Sequence, residues 1–123
     1  MDEMAEIERL KALMLKKVYF VMRRKIVAPE KLGAVMLDHY NWIIGLEKAG
    51  QVFASGPVST RDGKPGVGMT IFRADDWDAA ETMAAGDPFV QCGAADFTIE
   101  QWQLNEGRVT MSYDMSDQTT RFS

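Results

Sequence analysis

Apolar residues recur along this chain at two spacings, and the change from one to the other predicts its elements. Residues 29–50 carry them at helical spacing, on a face formed by Leu32, Val35, Met36, His39, Ile43 and Leu46. Residues 16–27 are instead rich in β-branched and aromatic side chains, which is typical of a strand. Pro29 suits the first turn of a helix and Gly50 suits its end, so we expect the helix to span these two residues.

The other segments complete a series of short elements. We expect a helix over 4–15 and a strand over 16–27 before the helix over 29–50. A strand over 51–55, which stops at Gly56-Pro57, and a strand over 67–74 follow it. Next come a helix that is capped by Asp75 or Asp76 and ends at Ala85, a short helical piece to Gly93, and a strand over 95–104. Turn residues over 59–66 predict a hairpin between the second and third strands. The inward residues of the helix after the third strand are expected to be Trp77, Ala80, Met83 and Ala84.

The order of these elements predicts the fold class and the domain boundaries. The order βαββαβ is typical of the ferredoxin-like α+β sandwich, an antiparallel four-stranded sheet with two helices on one face. We assign residues 16–104 to this domain, residues 1–15 to an N-terminal helical extension, and residues 105–123 to a C-terminal extension that is partly disordered. Within that last extension, residues 108–115 alternate and predict a further strand, and residues 116–123 are expected to form a mobile tail.

The strands of this sheet are apolar on both faces. Residues 18–22 are apolar at every position, and in the last strand Phe97 and Ile99 have one parity while Trp102 and Leu104 have the other. Because the two helices cover only one face, we expect the other to pack sheet to sheet against a second copy of the chain in a homodimer. The alternative is that the C-terminal extension folds back over this face.

Charge and cysteine content exclude several classes of protein. With 123 residues, a formal net charge of −4 and a pI near 4.9, the chain lacks the basic surface of a nucleic-acid-binding protein. It has no apolar stretch of membrane-spanning length, and its acidic N-terminal segment is unlike a secretory signal, so we expect no membrane partner. A single cysteine, Cys92, favours a reducing, cytoplasmic location, and one histidine with one cysteine predicts no dedicated metal site.

The single histidine, His39, is the first candidate for chemistry. It interrupts the apolar face of its helix, and a polar side chain there needs a hydrogen-bond partner. The sequence offers Asp87, in the tight segment Gly86-Asp87-Pro88-Phe89. A histidine held by a carboxylate is suited to proton transfer as well as to a structural role. Asp before Pro is also a normal helix N-cap, and one carboxylate can serve both purposes.

Several short motifs, in this order, resemble the YCII-related domain family over residues 16–104. They are His39-Tyr40-x-x-Ile43, Ala54-Ser55-Gly56-Pro57, Asp62-Gly63-Lys64-Pro65, Gly86-Asp87-Pro88-Phe89 with Gly93, and the last strand with Trp102. The resemblance implies a dimeric α+β barrel and a His–Asp pair, here His39 and Asp87, as the active site. It also implies proton transfer on small cyclic or aromatic molecules, since relatives include a chlorohydroquinone dehydrochlorinase and muconolactone isomerases share the barrel.

One position departs from the pattern that the resemblance implies. An arginine often precedes the family histidine by one helical turn, and here that position is Met36. If that arginine holds an anionic substrate, we expect this protein either to use another cation, Arg23 or Arg24 on the first strand with Arg23 favoured, or to bind a less charged molecule. Ser55 and Phe89 are the other candidates for contact with a small-molecule ligand.

These expectations combine into one hypothesis and one alternative. The hypothesis is a cytoplasmic isomerase or lyase in which His39 moves a proton on a small oxygenated ring compound while Asp87 orients it, with no cofactor required. The alternative is a non-catalytic small-molecule-binding or interaction domain in which the pair is structural.

Overall fold

A four-stranded antiparallel sheet is the centre of the structure. The computed structural model describes residues 2–64 and 66–122. The strands of the sheet are β1 (Lys17–Ile26), β2 (Val52–Val58), β3 (Val67–Phe72) and β4 (Ala95–Leu104), in the spatial order β2-β3-β1-β4. The helices are α1 (Glu3–Leu13), α2 (Met36–Lys48), α3 (Trp77–Ala85) and α4 (Pro88–Gln91). This order of elements confirms the predicted ferredoxin-like α+β fold with an additional N-terminal helix.

One face of the sheet packs against the helices. The core on this face consists of Met22, Val52 and Phe72 from the sheet with Ala84 from α3. Around it pack partly buried apolar residues of α2, α3, α4, β4 and the β3–α3 connection, namely Trp42, Ile43, Leu46, Ala74, Met83, Val90, Phe97 and Ile99. The apolar spacing of α2 therefore marks the side that meets the sheet, as the sequence predicts.

The first strand is buried on both faces, as its continuous apolar sequence predicts. Residues Tyr19 to Met22 are each at most 7% exposed. Phe20 and Met22 belong to the face under the helices, whereas Tyr19 and Val21 belong to the opposite face. There Tyr19 stacks on Phe53 at 4.9 Å between ring centroids and lies 6.0 Å from Trp102. We call this second side, with Tyr19, Val21, Arg23, Met69, Ile71, Glu100 and Trp102, the open face.

At two of the boundaries that differ from the predictions, backbone geometry outweighs sequence pattern. The predicted helix over 29–50 begins as two 3₁₀ turns, Pro29–Lys31 and Gly33–Val35, and becomes α-helical only at Met36; neither 3₁₀ turn has a side-chain cap, and glycine is a poor helix former. The strand β2 does not stop at Gly56-Pro57 but continues to Val58. Proline is tolerated there because β2 is an edge strand, which leaves one side free of ladder partners.

The second predicted helix is confirmed, with one exception in its orientation. Asp76, rather than Asp75, caps α3 by accepting a hydrogen bond from the Ala79 N–H at 2.8 Å. Ala80 and Ala84 are fully buried as expected. Trp77 is not an inward residue, since it is 47% exposed, and its ring packs T-shaped against Phe20 at 5.2 Å between centroids.

The described chain forms two compact units, of which residues 18–103 are the larger. The smaller unit combines residues up to 17 with those from 104 onward, and the Leu15 N–H donates to the Asn105 carbonyl at 3.1 Å within it. It also holds a hairpin of β5 (Met111–Asp114) and β6 (Thr119–Phe122). Strand β5 agrees with the expected strand over 108–115, but β6 lies where we expected a mobile tail. No described helix has the length and apolar character needed to cross a bilayer.

Candidate active site

A cavity of about 640 Å³ lies in the larger unit, between α2, β2 and the start of β3. This volume falls within the range of roughly 300–1,000 Å³ that small-molecule sites occupy. Its wall is mainly apolar, with side chains such as Ile43, Ile44 and Phe89. The polar and charged side chains on the wall are those of Arg24, His39, Tyr40, Glu47 and Ser55. A small, largely apolar molecule with a few polar groups fits such a lining.

His39 and Asp87 meet at this cavity, as the sequence predicts. His39 Nδ1 lies 2.7 Å from Asp87 Oδ1, and the histidine side chain is 12% exposed whereas the aspartate is fully buried. An ionised carboxylate accepts hydrogen bonds only, so Nδ1 carries the hydrogen and donates it. In the neutral ring this leaves Nε2 with a lone pair. The geometry therefore supplies a histidine of fixed tautomer on the wall of a cavity.

Asp87 is held ionised by three donors. Burial by itself would raise the pKa of its carboxyl, but the hydrogen bond from His39, the charge of Arg24 and the Phe89 N–H outweigh burial and lower the pKa below its usual value. The Phe89 N–H donates to Oδ1 at 2.9 Å, which makes Asp87 the N-cap of α4. Both expected roles of Asp87, capping and pairing with His39, are thus present in one carboxylate.

Arg24 is the cation that accompanies this pair. Its Nε donates to Asp87 Oδ2, and its side chain is only 6% exposed. Its Nη2 also donates to Thr70 Oγ1 at 3.2 Å. A buried guanidinium needs such partners because burying an unpaired charge is costly.

Ser55 and Thr70 extend the polar contacts from Arg24 to the cavity wall. Thr70 is fully buried on β3, and its Oγ1 lies 2.8 Å from Ser55 Oγ on the neighbouring strand β2. Register explains the contact, because Ser55 and Thr70 are direct partners in the β2–β3 ladder. Ser55 lines the cavity, and its contact with a ligand stays a prediction.

Phe89 contacts His39 directly. The two rings stack at 3.9 Å between centroids with an interplanar angle of 4°. Phe89 is 7% exposed and also lines the cavity. Phe89, which we expected to contact a ligand, therefore also restrains the His39 ring, and its backbone N–H restrains Asp87.

Arg23 lies away from these residues, contrary to the preference for it as the pocket cation. Its side chain is on the open face, where it pairs with Glu100 at 2.5 Å, and it is absent from the cavity lining. Sequence reasoning favoured the wrong parity because β1 is apolar at both. Arg24 shares its parity with Phe20 and Met22, but Arg23 shares its own with Tyr19 and Val21, so the sequence does not distinguish the two arginines.

Two other expectations concern Met36 and Cys92. Met36, at the position where the resemblance implies an arginine, lines the cavity. Cys92 is a free thiol of intermediate burial, and its Sγ lies 3.6 Å from the Phe89 carbonyl oxygen. Among residues 2–64 and 66–122, no three His, Cys, Asp or Glu side chains are grouped closely enough to hold a metal ion. Of the motif around Asp62, Pro65 is outside the described residues.

Comparison with known proteins gives a family and a related structure. The family model of the YCII-related domain matches residues 16–103. A similar solved structure is 5-chloro-2-hydroxyhydroquinone dehydrochlorinase (TftG) from Burkholderia phenoliruptrix AC1100, in complex with 2,5-dihydroxybenzoquinone. It has 21% sequence identity and a TM-score of 0.57, and the match covers 68% of this chain and 92% of that one. No curated protein sequence matches this chain.

Proposed function

This chain belongs to the YCII-related domain family, and from its site we propose that it is a small-molecule enzyme that transfers protons through His39 and Asp87. The observation that carries the proposal is the 2.7 Å contact between His39 Nδ1 and Asp87 Oδ1 on the wall of a cavity of about 640 Å³. A buried pair that served structure alone would not need a ring facing a ligand-sized space.

In the proposed reaction, His39 Nε2 is the base that removes a proton from the substrate. Asp87 keeps the hydrogen on Nδ1 and stabilises the imidazolium that forms. Phe89 holds the ring in its plane by stacking. The protonated Nε2 then returns its proton to another atom in an isomerisation, or to solvent after a leaving group departs in an elimination. Removal of a base of this kind typically costs roughly 100-fold to 10,000-fold in rate.

The proposed substrate is a small oxygenated ring compound. The apolar wall and the stacked Phe89 suit a ring, and the hydroxyl of Ser55 suits an oxygen substituent. The dehydrochlorinase with a similar fold acts on a chlorinated hydroxyhydroquinone, which makes that compound the first to assay. The free thiol of Cys92 agrees with the proposed reducing, cytoplasmic location.

The test is turnover by wild-type protein and His39→Asn. Asparagine keeps an N–H donor for Asp87 but has no group that exchanges protons near neutral pH. With 5-chloro-2-hydroxyhydroquinone and muconolactone as substrates, chloride release or isomerisation should fall at least about 100-fold in the variant. Its circular dichroism and unfolding midpoint should stay near those of wild type.

Two results would contradict the proposal. One is a folded His39→Asn variant that retains wild-type turnover. The other is wild-type protein that binds both compounds and transforms neither, which favours the alternative of a non-catalytic binding domain with a structural His–Asp pair.

We also propose a homodimer formed by the open faces of two sheets. Support comes from the aromatic residues that this face exposes in part, Phe53 at 38% and Trp102 at 36%. Such a dimer would cover these two partly exposed rings, whereas His39 and Ser55 lie on the helix side of the sheet.

A further inference from the structure

We propose that the Ser55 hydroxyl is a catalytic hydrogen-bond donor to the substrate oxygen, aimed and polarised by Arg24 through Thr70. The inference rests on the proposed function and adds to it the group that stabilises negative charge. It assigns His39 and Ser55 opposite tasks, since one accepts the proton while the other stabilises the charge left behind.

The direction of the hydrogen bonds follows from what each group can donate. Arg24 only donates, so Thr70 Oγ1 accepts from Nη2 at 3.2 Å. Thr70 is fully buried, and its own hydrogen needs an acceptor because an unsatisfied buried donor is costly. Among the side-chain contacts of the described residues, the acceptor that Thr70 reaches is Ser55 Oγ, at 2.8 Å. Ser55 then accepts from Thr70, which leaves its own hydrogen for the cavity.

These hydrogen bonds form a chain in which each group donates to the next one toward the cavity. Arg24 donates to Thr70, Thr70 donates to Ser55, and Ser55 donates to the ligand. Hydrogen bonds in such a chain strengthen one another, and the first donor is a cation in a buried environment. The Ser55 hydroxyl is therefore a stronger donor than an isolated serine, and it suits an oxygen that gains negative charge.

Arg24 joins the two halves of the site. Its Nε contacts Asp87, the partner of His39, and its Nη2 contacts Thr70, the partner of Ser55. His39 and Ser55 both line the cavity, so both ends of this network meet the same ligand space. Thr70 is a positioning residue, because it is absent from the cavity lining and acts through Ser55, and Arg24, although it reaches the wall, has a positioning role toward Asp87 and Thr70.

The network selects a substrate class. When His39 Nε2 takes a proton from an acidic C–H or O–H group, the electron pair moves onto the substrate oxygen beside Ser55, and this gives an enolate or phenolate. The charge then collapses with expulsion of chloride or with return of the proton to another carbon. The substrates are therefore phenols or enolisable carbonyl compounds.

The test measures how the protein discriminates between the two ionisation states of 4-nitrophenol, whose phenolate is identified by its absorption. Affinities for phenol and phenolate come from titrations across pH. Wild-type protein should prefer the phenolate, and Ser55→Ala should lose about ten-fold or more of this preference, because hydrogen bonds to charged groups are the strong ones. Thr70→Val should lose preference in the same direction, while Thr70→Ser, which keeps the hydroxyl, should retain most of it.

The controls separate this proposal from folding and from the reaction itself. Ser59→Ala, in the β2–β3 connection outside the cavity lining, should match wild type. In a His39→Asn background, Ser55→Ala should still lower the preference for phenolate, so the donor can be confirmed even if the proposed turnover fails. The proposal is overturned if Ser55→Ala keeps the wild-type preference, if Thr70→Ser loses as much as Thr70→Val, or if the cavity shows no preference for phenolate.

Discussion

Two adjacent arginines on β1 show how strongly the environment of a side chain sets its contribution to stability. Arg23 is about half exposed and pairs with Glu100, and such surface pairs contribute at most about 1 kcal/mol. Arg24 is nearly buried and pairs with Asp87, and loss of one partner of a buried pair typically costs about 3–5 kcal/mol. The same residue type is therefore a surface feature at one position and a constraint on the site at the next.

Asp87 makes the stability of the protein dependent on pH in a defined window. Its pKa is lowered in the folded state, where burial is outweighed by His39, Arg24 and the Phe89 N–H. A carboxyl group with a lowered folded pKa contributes stability above its unfolded pKa of about 3.9, and this contribution is lost as the pH falls from there through the folded pKa.

We therefore expect the difference in unfolding free energy between wild type and Asp87→Asn to be largest above about pH 4 and to shrink at lower pH. Urea unfolding followed by circular dichroism at a series of pH values from 6 down to about 2.5 measures this difference. A difference that stays constant over this range would show that the charge of Asp87 does not contribute to stability.

At the scale of elements, the site depends on the close approach of β1 and β3 to each other at Arg24 and Gly68. Arg24 and Gly68 are direct partners in the antiparallel β1–β3 ladder, and a Cβ atom at position 68 would lie 2.7 Å from Arg24 Nη1. Glycine at this position thus makes room for the guanidinium between Asp87 and Thr70. Strand β3 therefore contributes to the site both through Gly68, which has no side chain, and through the Thr70 hydroxyl.

Gly68→Ala should therefore destabilise the protein by about 1–3 kcal/mol, because the added methyl group must displace a guanidinium that is held at Asp87 and Thr70. Gly56→Ala is the matched control, since its Cβ would have no neighbour within 4 Å and its effect should stay below about 0.5 kcal/mol. Urea unfolding of both variants measures the two effects. Equal effects would mean that Arg24 is free to move aside.

At the scale of the whole molecule, the open face exposes aromatic side chains at its rim. Its central residues Tyr19, Val21 and Ile71 are already at most 7% exposed, whereas Trp102 at its rim is 36% exposed. A dimer through this face would cover Trp102, whereas His39 and Ser55 lie on the helix side of each sheet.

The wild-type protein should therefore have twice the 13.8 kDa chain mass at micromolar concentration, measured by light scattering after size-exclusion chromatography. Trp102→Glu should give monomers, because it places a charge in the interface. Val109→Glu, at a residue that is 65% exposed in the C-terminal segment, should leave the dimer intact. A monomeric wild type, or dissociation by Val109→Glu alone, would exclude the sheet-to-sheet arrangement.

The sequence by itself determined the topology and the His39–Asp87 pair. Apolar spacing distinguished helices from strands, and Asp76 and Gly50 marked helix boundaries, because these signals are local and depend on the backbone near each residue. The pair was predictable because one histidine interrupts an apolar helix face, and Asp87 lies in a segment that also fits the family motif.

Tertiary structure alone decided which groups accompany this pair. The cation is Arg24 rather than Arg23, because strand pairing and helix packing set which parity faces the cavity, and β1 is apolar at both. Thr70 and Ser55 are partners only through the register of β2 and β3. Register joins residues distant in sequence, and it depends on the packing of the whole sheet, which no local pattern contains.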